Sequence, residues 1–263
     1  MAADANQDLI YEVNDEIGLI TLNRPQARNA LTFEMYGQIA DILAGAPTDG
    51  SVKAIIITGA GDKAFAAGTD ISLFRDFEGA EQGIGYERTG DGNFRRIQTC
   101  PLPVIAAISG ACTGGGAAIA AFSDMRIASQ DLKFGFPISR TLGNCLSAPN
   151  LARLVGLIGE AKVMDLILTS RLMGAEEALA CGLVNEVVED NAAVRERAWE
   201  LATRLKQHAP LTMRAIKEVL RRLRHQTPEV DDEDIVAQVY ASNDFREGLD
   251  AFLTKRKPSW TGT

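Results

Sequence analysis

Three consecutive glycines, at 114, 115 and 116, are the first feature of this chain with chemical potential. They follow an apolar, β-branched run at 104–108 and precede an alanine-rich stretch reaching Phe122. A glycine turn that opens a helix leaves free N–H groups where the helix dipole favours negative charge. Donors fixed in that way stabilise a developing oxyanion without reorganising. The same residues equally make a tight strand-to-helix turn, and spacing alone leaves both readings open.

A second candidate group is polar. Ser139, Arg140, Asn144 and Cys145 stand close in sequence and read as one cluster. Arg140 could hold an acidic ligand group or form a structural ion pair. Cys145 could be a nucleophile or proton donor, or a buried hydrophobe. The two histidines, His208 and His225, are remote in sequence from that thiol. A third group is acidic: Asp76, Glu78, Glu81, Glu87 and Asp91 alternate with glycines at 79, 83, 85, 90 and 92. Residues 75–93 are therefore read as a mobile surface segment, a lid whose carboxylates could swing toward a ligand or simply stay solvated.

The elements that must position these groups follow from patterning. Runs at 9–13 and 17–22, split by Asn14, Asp15 and Glu16, predict a hairpin. Pro25 ends the second strand, and Thr32 is an N-cap for a helix to about Ala44. Buried strands are expected at 52–58 and 104–108, a helix from the glycines to Phe122, and a short strand at 125–128. This strand–helix–strand rhythm predicts βαβ units. Helices are expected at 160–168, 175–181, 191–206, 211–222 and 228–240, with Pro210 and Pro228 in first turns. The division is an α/β core over 1–190 and a helical region over 191–263.

Composition narrows the classes. The chain has 263 residues, 46% hydrophobic and 24% charged, as in ordinary globular proteins. A net charge of -8 argues against nucleic acid as a partner. The basic stretch from Arg204 to Arg224 reads as polar helix faces, with salt-dependent RNA binding as the competing reading. Cys100, Cys112, Cys145 and Cys181 lack metal-ligand spacing and suit reduced thiols. No dinucleotide fingerprint, zinc spacing, signal-like start or membrane-length apolar run is found. A cytoplasmic protein with no bound metal and no membrane partner is expected.

Several motifs, in order, resemble the crotonase (enoyl-CoA hydratase/isomerase) family over almost the whole chain. Ile20-Thr21-Leu22-Asn23-Arg24-Pro25 with Asn29-Ala30-Leu31 is similar to its opening signature. Phe65-Ala66-Ala67-Gly68-Thr69-Asp70-Ile71 resembles its first active-site loop, and residues 103–124 its glycine-rich segment. Lys133-Phe134-Gly135, Gly182-Leu183-Val184 after Ala175-Glu176-Glu177-Ala178, and Asp244-Phe245-Arg246-Glu247-Gly248 before Lys255-Arg256-Lys257-Pro258 continue the match.

The resemblance implies repeated ββα units with a helical C-terminal region, and an acyl-CoA thioester substrate with no permanently bound cofactor. It implies an oxyanion hole from the N–H groups of Thr69 and Gly115. It places Arg28, Ala30, Lys63, Ala67, Asp70, Ile71 and Gly114 along coenzyme A, with Phe252 and Lys255 reaching a neighbouring subunit's ligand in a homotrimer or dimer of trimers. Asp70 either caps the following turn or has a catalytic or adenine-side role. Hydratases of the family carry two glutamates where this sequence has Ala118 and Ile138. Neither side chain can activate water or deliver a proton. The expected function is acyl-CoA processing through an enolate or oxyanion, with hydratase activity and non-catalytic thioester binding as alternatives.

Overall fold

The computed structural model describes residues 7–224 and 231–263. Met1 to Asn6, His225 and Pro228 lie outside the described residues. A hairpin of β1 (Leu9–Asn14) and β2 (Ile17–Leu22) leads to α1 (Phe33–Ala44), β3 (Ala54–Gly59) and β4 (Ala64–Ala66). Then come α2 (Ala80–Thr99), β5 (Val104–Ile108), β6 (Ala111–Thr113), α3 (Gly115–Phe122), β7 (Met125–Ser129), β8 (Lys133–Gly135) and α4 (Ile138–Thr141). The chain continues through α5 (Ala148–Ile158), α6 (Glu160–Thr169), α7 (Ala175–Ala180) and β9 (Glu186–Val188). It ends in α8 (Asn191–Leu205), α9 (Pro210–Arg224), α10 (Glu233–Tyr240) and α11 (Asn243–Leu253).

The larger sheet has the order β1-β2-β3-β5-β7-β9, and the smaller is β4-β6-β8. Only β1 and β2 pair antiparallel within the named strands. A long strand in the first sheet, a three-residue strand in the second and a helix make one ββα unit, repeated along the chain. The expected βαβ rhythm is present in the larger sheet, where the parallel strands β2, β3, β5 and β7 are joined through α1, α2 and α3, and the short strands are added to it. β4, β6 and β8 are each three residues long, too short to show a period of two.

One core fills the space between the sheets and α1, α3 and the helices after β8, with Phe65, Ile57 and Phe134 fully enclosed. A second lies between α8 and the other face of the larger sheet, where Val194 and Ala198 meet Ile56, Ile105 and Ile127. A third joins Phe74, Leu142, Tyr240 and Phe245 and seats α10 and α11. Thr32 caps α1 by accepting the Met35 N–H, and Pro210 opens α9, both as expected. The helix expected at 228–240 starts at Glu233 among the described residues. Helices α5 and α11 carry no equally plain sequence signal.

The expected mobile segment at 75–93 is corrected most: its larger part is α2, a 20-residue helix. Its glycines at 83, 85, 90 and 92 oppose that helix by roughly 4 kcal/mol relative to alanine. Burying Phe94 and Ile97 contributes about 1.5–3 kcal/mol each, and Gly83 and Glu87 lie on the same buried face. Tertiary packing decides the conformation. Gly83 is required by that packing, since a Cβ there would fall 2.2 Å from Cγ of Tyr240. Gly83→Ala is expected to destabilise the fold by about 1–3 kcal/mol, read as a lower urea midpoint at unchanged slope. An unchanged midpoint would remove the close α2–α10 contact from the account.

Candidate active site

The opening loop and the segment after β4 are joined by backbone bonds. Leu31 N–H donates to Gly68 O (2.8 Å), Asp70 N–H to Leu31 O (2.8 Å) and Ala67 N–H to Arg28 O (3.0 Å). Asn29 is fully buried, and its Nδ2 donates to Ala60 O and Ala64 O at 2.9 and 2.8 Å. Arg24 donates to Ala30 O at 2.7 Å and to Asp70 Oδ2 at 3.1 Å. Arg28, Ala30, Ala67 and Asp70 are thus brought onto one strip. Arg24, which ties it together, was not among the expected site residues; its position in the opening signature was the signal.

Asp70 does cap the short 3-10 turn Ile71–Phe74, accepting from Ser72 N–H. Burial alone would raise its carboxyl, but hydrogen bonds from Ser72 and Arg24 outweigh that and hold it below the usual range. Lys63 and Lys255 are exposed, and Phe252 is 50% exposed at the end of α11. The packing of Phe74 on Phe245 connects α11 to the capped turn, with ring centroids 6.3 Å apart.

The turn at Gly68 meets the turn at Gly114. Gly68 has φ +105° and Gly114 has φ +51°, and a Cβ on Gly114 would lie 3.3 Å from Gly68 Cα. Gly114 N–H donates to Gly135 O at 3.0 Å, tying in the end of β8. Gly115 is the first residue of α3, so its N–H is one of the helix's free donors. Among the described residues the N–H of neither Thr69 nor Gly115 donates a hydrogen bond to the protein. A Cβ on Gly115 would fall 1.6 Å from the Tyr36 hydroxyl oxygen, so only glycine fits beneath that phenol.

Tyr36 and Tyr86 were not foreseen. Each shares a hydrogen bond with Thr69 Oγ1, both at 2.9 Å. Burial raises both phenols above their ordinary value, so they stay protonated at neutral pH. A cavity of about 330 Å³ opens beside them between α1 and α2, lined by Phe33, Tyr36, Phe77, Tyr86, Glu87 and Phe94 among others. Glu87 is expected on a mobile lid; it is instead buried on α2, where its carboxylate accepts from Tyr240 Oη at 2.8 Å. Burial, reinforced by Asp91 and Asp232, pushes its carboxyl up to about 7 against the Tyr240 and Ser147 hydrogen bonds. Asp91 is pushed up to about 6, chiefly by burial, and accepts from Ser147 Oγ (2.6 Å) and Asn150 Nδ2 (3.1 Å).

The polar cluster expected beyond Ile138 is not one cluster. Ser139 bonds back to Ile167 O and Ser170, whereas Asn144 faces Tyr240. Cys145 packs against the third core, and its thiol is pushed up to about 12 by burial and by nearby Glu87 and Asp232. It stays protonated and is no thiolate nucleophile at neutral pH. Arg140 is exposed and, among the described residues, has no ion-pair partner. Ala118 is 4% exposed inside α3 and Ile138 is half-buried at the start of α4, so neither position supplies a polar side chain. Among the described residues no His, Cys, Asp and Glu group is arranged for a metal, and no helix is long and apolar enough to cross a membrane.

Comparison with known proteins agrees with this arrangement. The enoyl-CoA hydratase/isomerase family model matches residues 12–263. The short-chain-enoyl-CoA hydratase of Clostridium acetobutylicum is 34% identical over 256 residues, covering 95% of this chain and 96% of that protein. The 2,3-dehydroadipyl-CoA hydratase of Escherichia coli is 32% identical over 260 residues, covering 97% and 99%. Among solved structures, an enoyl-CoA hydratase/carnithine racemase from Magnetospirillum magneticum has a TM-score of 0.79 at 36% identity, covering 98% of this chain and 96% of that one. A methylmalonyl-CoA decarboxylase in complex with 2-nitronate-propionyl-CoA has a TM-score of 0.87 at 28% identity, covering 98% and 99%. With the ββα repeats, the joined glycine turns and these matches together, the chain belongs to the enoyl-CoA hydratase/isomerase family and is a crotonase-fold enzyme of acyl-CoA thioesters.

Proposed function

We propose that the N–H groups of Thr69 and Gly115 polarise the thioester carbonyl of an acyl-CoA, and that two-carboxylate hydration is not this chain's reaction. The observation that carries the reading is the contact of the Gly68 and Gly114 turns beside a carboxylate-free pair, buried Ala118 and half-buried Ile138. Fixed N–H donors at a helix start suit a thioester oxygen gaining charge. Addition of water needs one group to activate it and an acid to deliver a proton, and neither position has one. The strip of Arg28, Ala30, Lys63, Ala67, Asp70, Ile71 and Gly114 would hold the coenzyme A portion. The hydratase names of relatives more than 30% identical favour a second reading, hydration by other groups.

Residues 1–190 would form the core domain carrying this site. Residues 191–263 would close the pocket and make the assembly, with Phe252 and Lys255 reaching a neighbouring subunit. Helix α9 supports the second role: none of its residues is buried, and Leu211, Ile216, Val219, Leu220 and Leu223 are exposed, Leu211 by 72%. Such an apolar face fits a homotrimer or dimer of trimers. Light scattering on the purified chain is expected to give a trimer or hexamer, and Ile216→Asp/Leu220→Asp to lower that mass. A monomeric wild type would remove this role for α9.

Purified protein should give no rapid hydration of crotonyl-CoA or longer enoyl-CoAs by mass spectrometry, and Ala118→Glu/Ile138→Glu should gain it. Rapid wild-type hydration would sink the first reading and favour the second. Gly115→Ala is expected to weaken saturated acyl-CoA binding by about tenfold to hundredfold, because its Cβ collides with the Tyr36 hydroxyl. Tyr36→Phe should recover part of the loss. Calorimetry showing wild-type affinity for Gly115→Ala would remove Gly115 from the thioester site.

A further inference from the structure

We infer that Glu87, delivered from α2, is the proton-transfer residue of this site. The inference rests on the thioester site proposed above and goes further by naming its base, from an element that carries neither Ala118 nor Ile138. Glu87 lines the same cavity as Tyr36 and Tyr86, whose hydroxyls meet Thr69 beside Gly115. The cavity walls include Phe33, Phe77 and Phe94, which suit a hydrocarbon chain. Competing carboxylates are placed differently. Asp76, Glu78 and Glu81 are exposed, and Asp91 is held by Ser147 and Asn150 outside the cavity lining.

One carboxylate suffices for such a reaction. On a β,γ-unsaturated thioester the Glu87 carboxylate takes a proton from the α-carbon. The C–H electron pair becomes the double bond between the carbonyl carbon and the α-carbon, the carbonyl π pair moves onto the thioester oxygen, and the retained β,γ double bond completes a dienolate. In the second step the carbonyl re-forms and the protonated Glu87 gives its proton to the γ-carbon. The double bond ends between α and β, and no water or other reactant is consumed. On a saturated acyl-CoA the first step and its reversal exchange the α-proton with solvent.

The surroundings of Glu87 suit that work. Burial brings its carboxyl to about 7, near the pH at which a group can both take and return a proton. The titratable groups facing it are Asp91 on its own helix, Tyr36 from α1, Tyr86, Tyr240 from α10, Asp232 before α10 and Cys145 between α4 and α5. The phenols and the thiol are raised by burial and stay protonated, so Asp91 and Asp232 are the charges that tune it. The Tyr240 hydroxyl at 2.8 Å holds the carboxylate in place.

The test uses the full-length protein with hexanoyl-CoA and 3-hexenoyl-CoA. Binding is measured by calorimetry, α-deuterium uptake in D2O by mass spectrometry, and double-bond migration by absorbance of the conjugated product. Wild type is expected to bind, exchange and isomerise, with rates rising with pH through about 7 as the base ionises. Glu87→Gln is expected to bind with unchanged affinity, which also reports its folding, and to lose about 100-fold or more in both rates. Glu87→Asp should keep part of the activity with a shifted pH limb. Binding without exchange in wild type, or exchange by Glu87→Gln at the wild-type rate, overturns the role of Glu87 and leaves the thioester site standing. No binding of either thioester by wild type overturns the thioester site itself, and this inference with it.

Discussion

The site depends on two stretches of backbone meeting with no side chain between them. Gly68 and Gly114 both have positive φ, and any Cβ on Gly114 would press on Gly68 Cα. Gly116 extends the constraint inward, since a Cβ there would lie 2.5 Å from Ala66 O. The smaller sheet enforces the meeting. Its strands β4, β6 and β8 are parallel, so their carboxyl ends emerge along one edge, and the next residues are the turn at Gly68, the turn at Gly114 and the start of α4. Open parallel sheets bind ligands at that edge for the same reason. Three ββα repeats therefore bring residues 67–71, 114–118 and 136–138 together, although long stretches of chain separate them.

What could be read from the sequence divides along physical lines. The hairpin, the helix capped by Thr32, the long buried strands and the helix opened by the glycines all have local signals, and the structure has each within a few residues. The three-residue strands have no such signal, because their pairing is set by tertiary packing. α2 contradicted its composition. Acidic residues mixed with glycines normally mark a solvated loop, yet Gly83 seats Tyr240 and Phe94 and Ile97 bury one face. Arg24 and Asn29 lay within a legible motif but their bonds did not, since a short motif does not say which carbonyls its side chains reach. Tyr36 and Tyr86 could not be joined to Thr69 without knowing that α1 and α2 pack together.

The packing of α2 also decides the state of Glu87. On a mobile lid, Glu87 would be one of several solvated acids with an ordinary affinity for protons. On a packed helix it accepts from Tyr240 and from the backbone of Ser147, and burial outweighs these hydrogen bonds that favour its charge. The same helix supplies the aromatic wall of the cavity. The cavity wall and its buried carboxylate thus both follow from the packing of one helix.

Ala118 and Ile138 add no charge of their own. Burial, with Asp91 and Asp232 nearby, brings the Glu87 carboxyl to about 7. In the proposed site, apolar side chains at 118 and 138 would lower the local dielectric and strengthen what the N–H groups of Thr69 and Gly115 could do for a negative oxygen. On that reading the side chains at 118 and 138 would do more than omit a hydration mechanism. They give a site in which charge would be expected on the thioester oxygen and on one carboxylate, the requirement for moving a proton from carbon to carbon without adding water.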